Sequence, residues 1–190
     1  LAVLRSLPGP VFFPLRALAI VYADLFRGIP TILVIYILGF GAPALGLAGM
    51  PTSTIFWGIV SLVLVYSAYV SEVSRAGIES VHPSQEAAAR SLGLTRSQTL
   101  QFVILPQAVR RVIPPLLNDF IGLQKDSALV ALLGTVEAFR QSQINVAATF
   151  NYTPYLATAL LFVAITIPLA RFTDWLVARD RRRQLAGRAA

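Results

Sequence analysis

Two aspartates and two neighbouring polar residues stand at a regular spacing in the second half of the chain. Asp119 and Asp126 are seven positions apart, and Asn118 and Lys125 repeat that spacing one position earlier. On an α-helix, positions seven apart lie within about 20° of each other, so each pair shares one face. A carboxylate can neutralise a cation and an amide can bind a carboxylate. Asn118, Asp119 and Asp126 are therefore candidates for binding a small molecule that carries both charges.

Composition excludes most other chemistry. The chain has no cysteine and one histidine, His82, which excludes a disulfide framework, a thiolate zinc site, an iron–sulfur cluster and a cysteine nucleophile. His82 precedes Pro83 and is better explained as a loop residue than as a metal ligand, because no second histidine could share the metal. The phosphate-binding pattern G-x-x-x-x-G-K-[ST] is absent from the sequence. We therefore expect this chain to be no enzyme and to hold no cofactor or metal.

The helices that position these residues are predicted from hydropathy and from the distances between charges. Hydrophobic residues make up 56% of the 190 residues and charged residues 13%, and the mean hydropathy is +0.68. These values are atypical of water-soluble domains. Residues 28–71 and 141–170 carry no charged side chain. The first tract is long enough for two spans of about 20 residues each, separated by a turn in the Gly- and Pro-rich segment 39–53.

We therefore predict an all-α integral membrane protein with about four transmembrane helices, near residues 28–47, 54–75, 112–136 and 154–178. The third carries Asp119 and Asp126, and charged groups at membrane depth usually face a protein interior or an aqueous cavity. This favours a transport pathway. Alternatively, Lys125 and Asp126 lie near the membrane boundary and pair with neighbouring helices. Glu72 and Arg75 are better explained as an ion pair at the end of a span than as part of a pathway.

The distribution of Arg and Lys predicts the orientation in the membrane. If residues 76–111 and both ends share one side, that side holds fourteen of the sixteen Lys and Arg residues, all except Lys125 and Arg140. By the positive-inside rule, the central loop and both ends are cytoplasmic. This topology explains the net charge of +7, and the long uncharged tracts exclude a nucleic-acid-binding surface. The basic tail, 179–190, is expected to contact membrane lipid.

The central loop, residues 81–106, is predicted to form a helix–turn–helix. Ser84–Leu92 favours a helix, Gly93 can take the left-handed conformation that ends it, and Thr95 with Gln98 forms a capping box that begins a second helix. Pro106 is expected to stop or kink the second helix. Five apolar side chains would then be available to dock into a partner: Leu92, Leu94, Leu100, Phe102 and Leu105.

This loop resembles the EAA motif of bacterial ABC importer permeases, which reads Glu-Ala-Ala, three residues, Gly, nine residues, Ile, one residue and Leu-Pro. Anchored on Gly93, the motif places Val103 at the Ile position and Leu105-Pro106 at its end. The flanking segments resemble the polar amino-acid uptake subfamily, and the similarity extends over about residues 22–179. These segments are LFRGIP from Leu25, YVSEVSRAGIESV from Tyr69, ILPQAVRRVIPPLLNDFI from Ile104 and KDSALV from Lys125.

The resemblance implies one transmembrane permease domain over residues 1–190 in a bacterial inner membrane, with a lead-in at 1–25. It implies three protein partners: an ABC ATPase subunit that binds ATP and grips the loop, a second permease copy or sister permease, and a periplasmic or lipid-anchored binding protein that delivers a polar amino acid. The implied ATPase-coupling residues are Ser84, Gln85, Glu86, Ala88, Ala89, Leu92, Gly93, Leu94, Leu105 and Pro106.

Two departures from the family pattern bear on these expectations. The motif's Glu should stand at position 87, where this chain has Ala87, and the acid stands one place earlier, as Glu86. On a helix this is a rotation of about 100°, which predicts that Glu86 needs local readjustment to reach an ATPase. The family also usually begins with a further spanning helix. Because the chain starts on Leu1, we expect additional residues upstream.

Two other classes of membrane protein remain open. An ATP-independent channel or secondary carrier could use the Asp and Lys residues of the third span, but it would not need the capped cytoplasmic loop. A membrane-embedded enzyme would need an acid/base pair or a cluster of metal ligands, and the sequence offers neither. Co-purification of an ATPase with this chain distinguishes the importer from the carrier.

Overall fold

The structure is a computed structural model, and it describes residues 12–189 without the side chains of residues 180, 181 and 183–189. The first part of the predicted lead-in and most side chains of the basic tail therefore lie outside the described residues. No strand occurs between residues 12 and 189, and the prediction of an all-α fold is confirmed.

The helices are numbered here in chain order. The first half contains α1 (Phe13–Gly28), α2 (Thr31–Tyr36, continued by a π-helical turn Ile37–Gly41 and by Ala42–Ala44) and α3 (Thr54–Glu79). The central loop forms α4 (Pro83–Ser91) and α5 (Arg96–Thr99, continued by a π-helical turn Leu100–Ile104). The second half contains α6 (Leu105–Asp126), a 3₁₀ segment Ser127–Leu133, α7 (Ala138–Thr149) and α8 (Thr153–Ala189).

Within residues 12–189, two helices are each long and apolar enough to cross a membrane, Thr54–Glu79 in α3 and Thr153–Arg179 in α8. They coincide with the spans predicted at 54–75 and 154–178. The predicted first span, 28–47, lies on α2, which forms with α1 a helix pair bent by 102°. The bend follows from Pro30, because a residue before proline is pushed out of the helical conformation and Pro30 itself is extended, with ψ at 135°.

The predicted third span, 112–136, is divided between two kinds of helix. The α-helix α6 starts earlier, at Leu105, and ends at Asp126, and the 3₁₀ segment continues to Leu133. α6 is not among the helices that are apolar enough to count as spans by composition, because it carries five charged residues: Arg110, Arg111, Asp119, Lys125 and Asp126. How many helices cross the membrane stays a prediction.

The chain divides into two compact units, and whether they act as one permease domain stays a prediction. One unit combines the described residues up to Leu25 with Ser67–Leu116. In it Gly77 of α3 lies so close to α6 that an added Cβ would stand 2.0 Å from the Val112 side chain. Arg111 of α6 donates a hydrogen bond to the Ser80 carbonyl oxygen just after α3. These contacts join α3 and α6 on either side of the central loop.

The other unit combines Phe26–Tyr66 with the described residues from Leu117 onward. Its core consists of Ile35 of α2 and Val130 and Leu133 of the 3₁₀ segment. Both 3₁₀ residues pack against glycines: an added Cβ would stand 2.3 Å from Leu133 at Gly39 and 2.7 Å from Val130 at Gly58. The KDSALV segment, residues 125–130, therefore includes the start of the 3₁₀ segment, whose buried side chains pack against both α2 and α3.

Candidate functional site

The first helix of the central loop begins as the sequence predicts. His82 is its N-cap, and its Nδ1 accepts a hydrogen bond from the Ser84 backbone N–H at 3.2 Å. Pro83 occupies the first helical position, where its missing N–H would have had no partner in any case. His82 is thus a loop residue whose imidazole begins α4.

The turn between the two short helices depends on Gly93. Gly93 has a φ of +85°, which an L side chain rarely adopts. Its N–H donates to the Arg90 carbonyl at 3.0 Å, and the Leu94 N–H donates to the Ala89 carbonyl at 3.2 Å. This pair of bonds is a Schellman motif, which satisfies carbonyl groups at the end of a helix. The predicted left-handed turn is confirmed.

The second helix begins with the predicted capping box. The Gln98 N–H donates to Thr95 Oγ1 at 3.3 Å, and the Thr95 N–H donates to Gln98 Oε1 at 2.9 Å. Pro106 does not stop the helix, because the chain stays helical through it; whether it kinks the helix stays a prediction. The π-helical turn Leu100–Ile104 precedes Pro106 and widens the helix, which relieves the clash of a proline ring with the preceding turn.

Most of the predicted docking side chains point away from the protein. Leu92 is 83% exposed and Phe102 is 63% exposed, and Leu100 and Leu105 are also exposed. Leu94 is half-buried against the turn. Exposed apolar groups on a segment predicted to lie outside the membrane indicate an interaction site. The packed side of α4 is marked by Ala89, which is 4% exposed.

The one-residue displacement of the acid changes which way it faces. Ala87, at the motif's Glu position, is exposed, as are Ser84, Gln85 and Ala88. Glu86 is half-buried on the side of α4 that also carries the buried Ala89, three residues further on. The predicted rotation away from the motif's direction therefore matches the structure, and the surface offered by α4 is uncharged at the position where the family has its Glu.

The polar residues of α6 are separated into two sides by the fold. Asp126 accepts a hydrogen bond from the Tyr66 hydroxyl at 3.1 Å. Asp119 is half-buried, and its Oδ2 has no hydrogen-bond partner among the described residues. Asn118 and Lys125 are exposed on the adjoining side. The structure thus brings the two aspartates together on one half-buried face and leaves Asn118 outside it.

Two residues that belong to this half-buried face were not predicted from the sequence. Tyr66 comes from α3, and Gly122, between the aspartates on α6, makes room for it: an added Cβ at Gly122 would stand 3.0 Å from the Tyr66 hydroxyl. Gly122 follows Asp119 by three positions, which a helical projection places on the same face. Tyr66 carries no such signal, because it lies in an uncharged tract 60 residues from Asp126.

The predicted ion pair near the end of α3 is confirmed and extended. Arg75 donates hydrogen bonds to Glu72 and to Glu79. The side chains are three and four positions apart, the spacing at which neighbours on one helix face meet. This triad explains why α3 can carry three charges at the end of an otherwise apolar helix.

Comparison with known proteins adds an independent line of evidence. Residues 9–182 match the family described as binding-protein-dependent transport system inner membrane component. The probable glutamine ABC transporter permease protein GlnM of Bacillus subtilis is 36% identical over 170 residues, covering 89% of this chain and 77% of the relative. The arginine transport system permease protein ArtQ of the same organism is 34% identical, covering 88% of this chain and 76% of ArtQ.

A solved structure agrees with the sequence comparison. The crystal structure of an amino acid ABC transporter with histidines superposes with a TM-score of 0.84 at 31% identity, covering 94% of this chain and 81% of that one. The family match covers almost the whole chain, the relatives are more than 30% identical, and the solved structure shares the helical fold. These similarities to membrane proteins agree with the apolar character of α3 and α8. This chain belongs to the family of inner membrane components of binding-protein-dependent transport systems.

Proposed function

We propose that this chain is the permease subunit of an ATP-driven importer, that it forms part of the pathway for a polar amino acid, and that residues 81–106 bind a separate ATPase subunit. Membership of the family supports an ATPase and a binding protein as partners. GlnM is described as a probable glutamine permease and ArtQ as an arginine permease, which supports an amino acid as the substrate. A second permease copy or a sister permease would complete the pathway.

One observation carries the proposed coupling role: the central loop is held in shape by local hydrogen bonds and yet exposes large apolar side chains. Its turn is held by the Schellman motif at Gly93 and by the capping box at Thr95. Leu92 and Phe102 nevertheless remain more than half exposed. A rigid apolar surface loses little conformational entropy when a partner covers it. The loop leads directly into α6, so a partner that moves the loop would also move the helix that carries Asp119 and Asp126.

Substitution of the exposed side chains tests this role. Leu92→Ser and Phe102→Ser should each weaken binding of the ATPase subunit at least tenfold, because burial of one such side chain contributes about 1.5–3 kcal/mol. Phe150→Ser is the matched control, since Phe150 is 87% exposed and lies in the connection between α7 and α8, predicted on the other side of the membrane. Equal affinity of the Phe102→Ser and Phe150→Ser variants would reject the loop as the contact.

The displaced acid offers a second test of the same contact. The double variant Glu86→Ala with Ala87→Glu moves the carboxylate onto the exposed side of α4. If the ATPase subunit presents a cation there, the variant should bind more tightly than the parent, and more so at low ionic strength. Weaker binding by the double variant would show that this protein uses Glu86 in its present place.

The half-buried face of α6 is the proposed part of the substrate pathway. Asp119 has an unsatisfied carboxylate oxygen, and Asp126 has the Tyr66 hydroxyl as its hydrogen-bond donor. Such a face suits the ammonium group of an amino acid. Asn118 is exposed on the adjoining side and could contribute only where a partner subunit closes the pathway there.

Asp119→Asn and Asp126→Asn separate a pathway role from a structural one. A pathway role predicts reduced or altered uptake while the amount of complex and its basal ATP hydrolysis survive. Parallel loss of yield, ATP hydrolysis and uptake would show that the carboxylate stabilises the folded complex and would reject the pathway assignment.

A further inference from the structure

Helix α8, which is predicted to span the membrane, carries aromatic residues near both of its predicted membrane boundaries. In the most apolar 18-residue stretch of the span Thr153–Arg179, only 6% of the residues are buried within the protein, so most of this stretch is available to surrounding molecules. Tyr155 and Trp175 are twenty positions apart, which is about 30 Å along a helix and equals the thickness of the hydrocarbon layer of a bilayer. Tyrosine and tryptophan favour the interface between this layer and the headgroups. Trp175 therefore marks the predicted cytoplasmic boundary.

An open groove between side chains of α8, with two cationic groups, lies directly beyond that boundary. It has a volume of about 260 Å³ and is lined by Trp175, Ala178, Arg179 and Arg182. The Arg179 guanidinium lies over the Trp175 ring at 5.2 Å from its centroid, and such a contact favours one position of the cation. Trp175 stacks in turn on Phe172 at 6.0 Å. Ala178 has too small a side chain to fill the space between the two arginines.

Neither Arg179 nor Arg182 forms an ion pair with any of the described side chains, whereas Arg171, two turns before Arg179, pairs with Asp174 at 3.4 Å. Guanidinium groups bind phosphate oxygens through paired hydrogen bonds. The site lies where headgroup phosphates are expected and beside a helix surface on which acyl chains can pack.

We propose that Trp175, Arg179 and Arg182 form a binding site for the phosphodiester of an anionic membrane lipid. Arg179 and Arg182 bind the phosphate, and Trp175 packs against the glycerol and the first acyl carbons. A zwitterionic lipid carries its own cation next to the phosphate and is bound less tightly, so the site selects lipids with net negative charge. This proposal concerns the binding of a membrane lipid to α8. It does not depend on the proposed substrate or on the proposed contacts with the ATPase subunit.

Native mass spectrometry of the purified complex with added phosphatidylglycerol or phosphatidylcholine tests the proposal. The complex should retain phosphatidylglycerol preferentially. The double variant Arg179→Gln with Arg182→Gln should lower its affinity about 25-fold, because each basic residue near a membrane surface contributes about fivefold. Trp175→Leu, which keeps an apolar side chain, should weaken binding by a smaller factor. Arg171→Gln is the charge-matched control on the same helix and should retain the lipid.

Several results would overturn the proposal. These include equal retention of both lipids, an unchanged affinity in the double variant and an equal loss in Arg171→Gln. Loss of a permease copy instead of a lipid would also overturn it, because the site would then be a subunit interface. Competition by inorganic phosphate distinguishes the source of the ligand. Displacement of phosphatidylglycerol at concentrations where chloride has no effect would show a site for free phosphate and reject the lipid assignment.

Discussion

Replacement of Gly93 by alanine is the sharpest perturbation that the structure offers for the coupling loop. At a φ of +85° an alanine is strained, while its Cβ would meet no atom within 4 Å. The cost is therefore one of backbone conformation alone, about 1–2 kcal/mol. If the ATPase subunit binds only the left-handed turn, this cost should raise the dissociation constant by about 5- to 30-fold.

The same chain supplies a closely matched control. Gly49, in the connection between α2 and α3, has a φ of +82° and also no atom within 4 Å of an added Cβ. Gly49→Ala should thus carry the same backbone cost at a place predicted to lie on the opposite side of the membrane. Gly93→Asn should bind better than Gly93→Ala, because asparagine tolerates the left-handed conformation.

Titration of the solubilised permease variants with the purified ATPase subunit measures the effect, and ATP-driven uptake in vesicles reports its consequence. We expect Gly93→Ala to bind weakly and to lose uptake, with Gly49→Ala near the parent in both. Equal affinities for Gly93→Ala and Gly49→Ala, whether both unchanged or both reduced, would refute the specific role of the Gly93 turn.

Three further predictions concern packing, topology and the pathway. Gly58→Ala should destabilise the complex by about 1–3 kcal/mol, because the added Cβ would stand 2.7 Å from the stiff Val130 side chain. A second substitution, Val130→Ala, should restore part of the lost stability. An unchanged midpoint of thermal unfolding in detergent for Gly58→Ala would show that this contact is unimportant. Single cysteines at Ser97 and Asn145 should be labelled by an impermeant reagent from opposite sides of the membrane, and labelling of Ser97 from outside would reverse the topology. Tyr66→Phe removes the hydrogen bond to Asp126 and should change the apparent KM for uptake more than the amount of complex, so that a fall in yield alone would assign Tyr66 to folding.

The parts of the structure that follow from the sequence are those governed by neighbouring residues. The capping box at Thr95 and the left-handed turn at Gly93 involve hydrogen bonds that span only a few positions, so residue type and spacing suffice to predict them. The same holds for Glu72 and Arg75, one turn apart on α3. The apolar tracts likewise identify α3 and α8, because length and hydropathy are the properties that a membrane selects.

Other features depend on contacts between distant segments. The contact between Tyr66 and Asp126 joins α3 to α6, and no pattern near Tyr66 indicates it. The uncharged tract starting at Gly28 predicted a first span at 28–47, whereas Pro30 bends the chain between α1 and α2, and α2 begins only at Thr31. The π-helical turn before Pro106 likewise shows that a helix can accommodate proline by widening instead of ending. The orientation of Glu86 is meaningful only once the burial of Ala89 shows which side of α4 is packed.

Transport by the reconstituted protein tests the central claim most directly. The chain should be placed in proteoliposomes with and without its ATPase subunit, its binding protein and ATP, and uptake of labelled amino acids measured from a panel that includes glutamine, arginine and histidine. We predict uptake of at least one of them only when all three additions are present, and its loss in the Gly93→Ala variant. Uptake by the permease chain alone, driven by an ion gradient and insensitive to ATP, would contradict the importer and favour a secondary carrier.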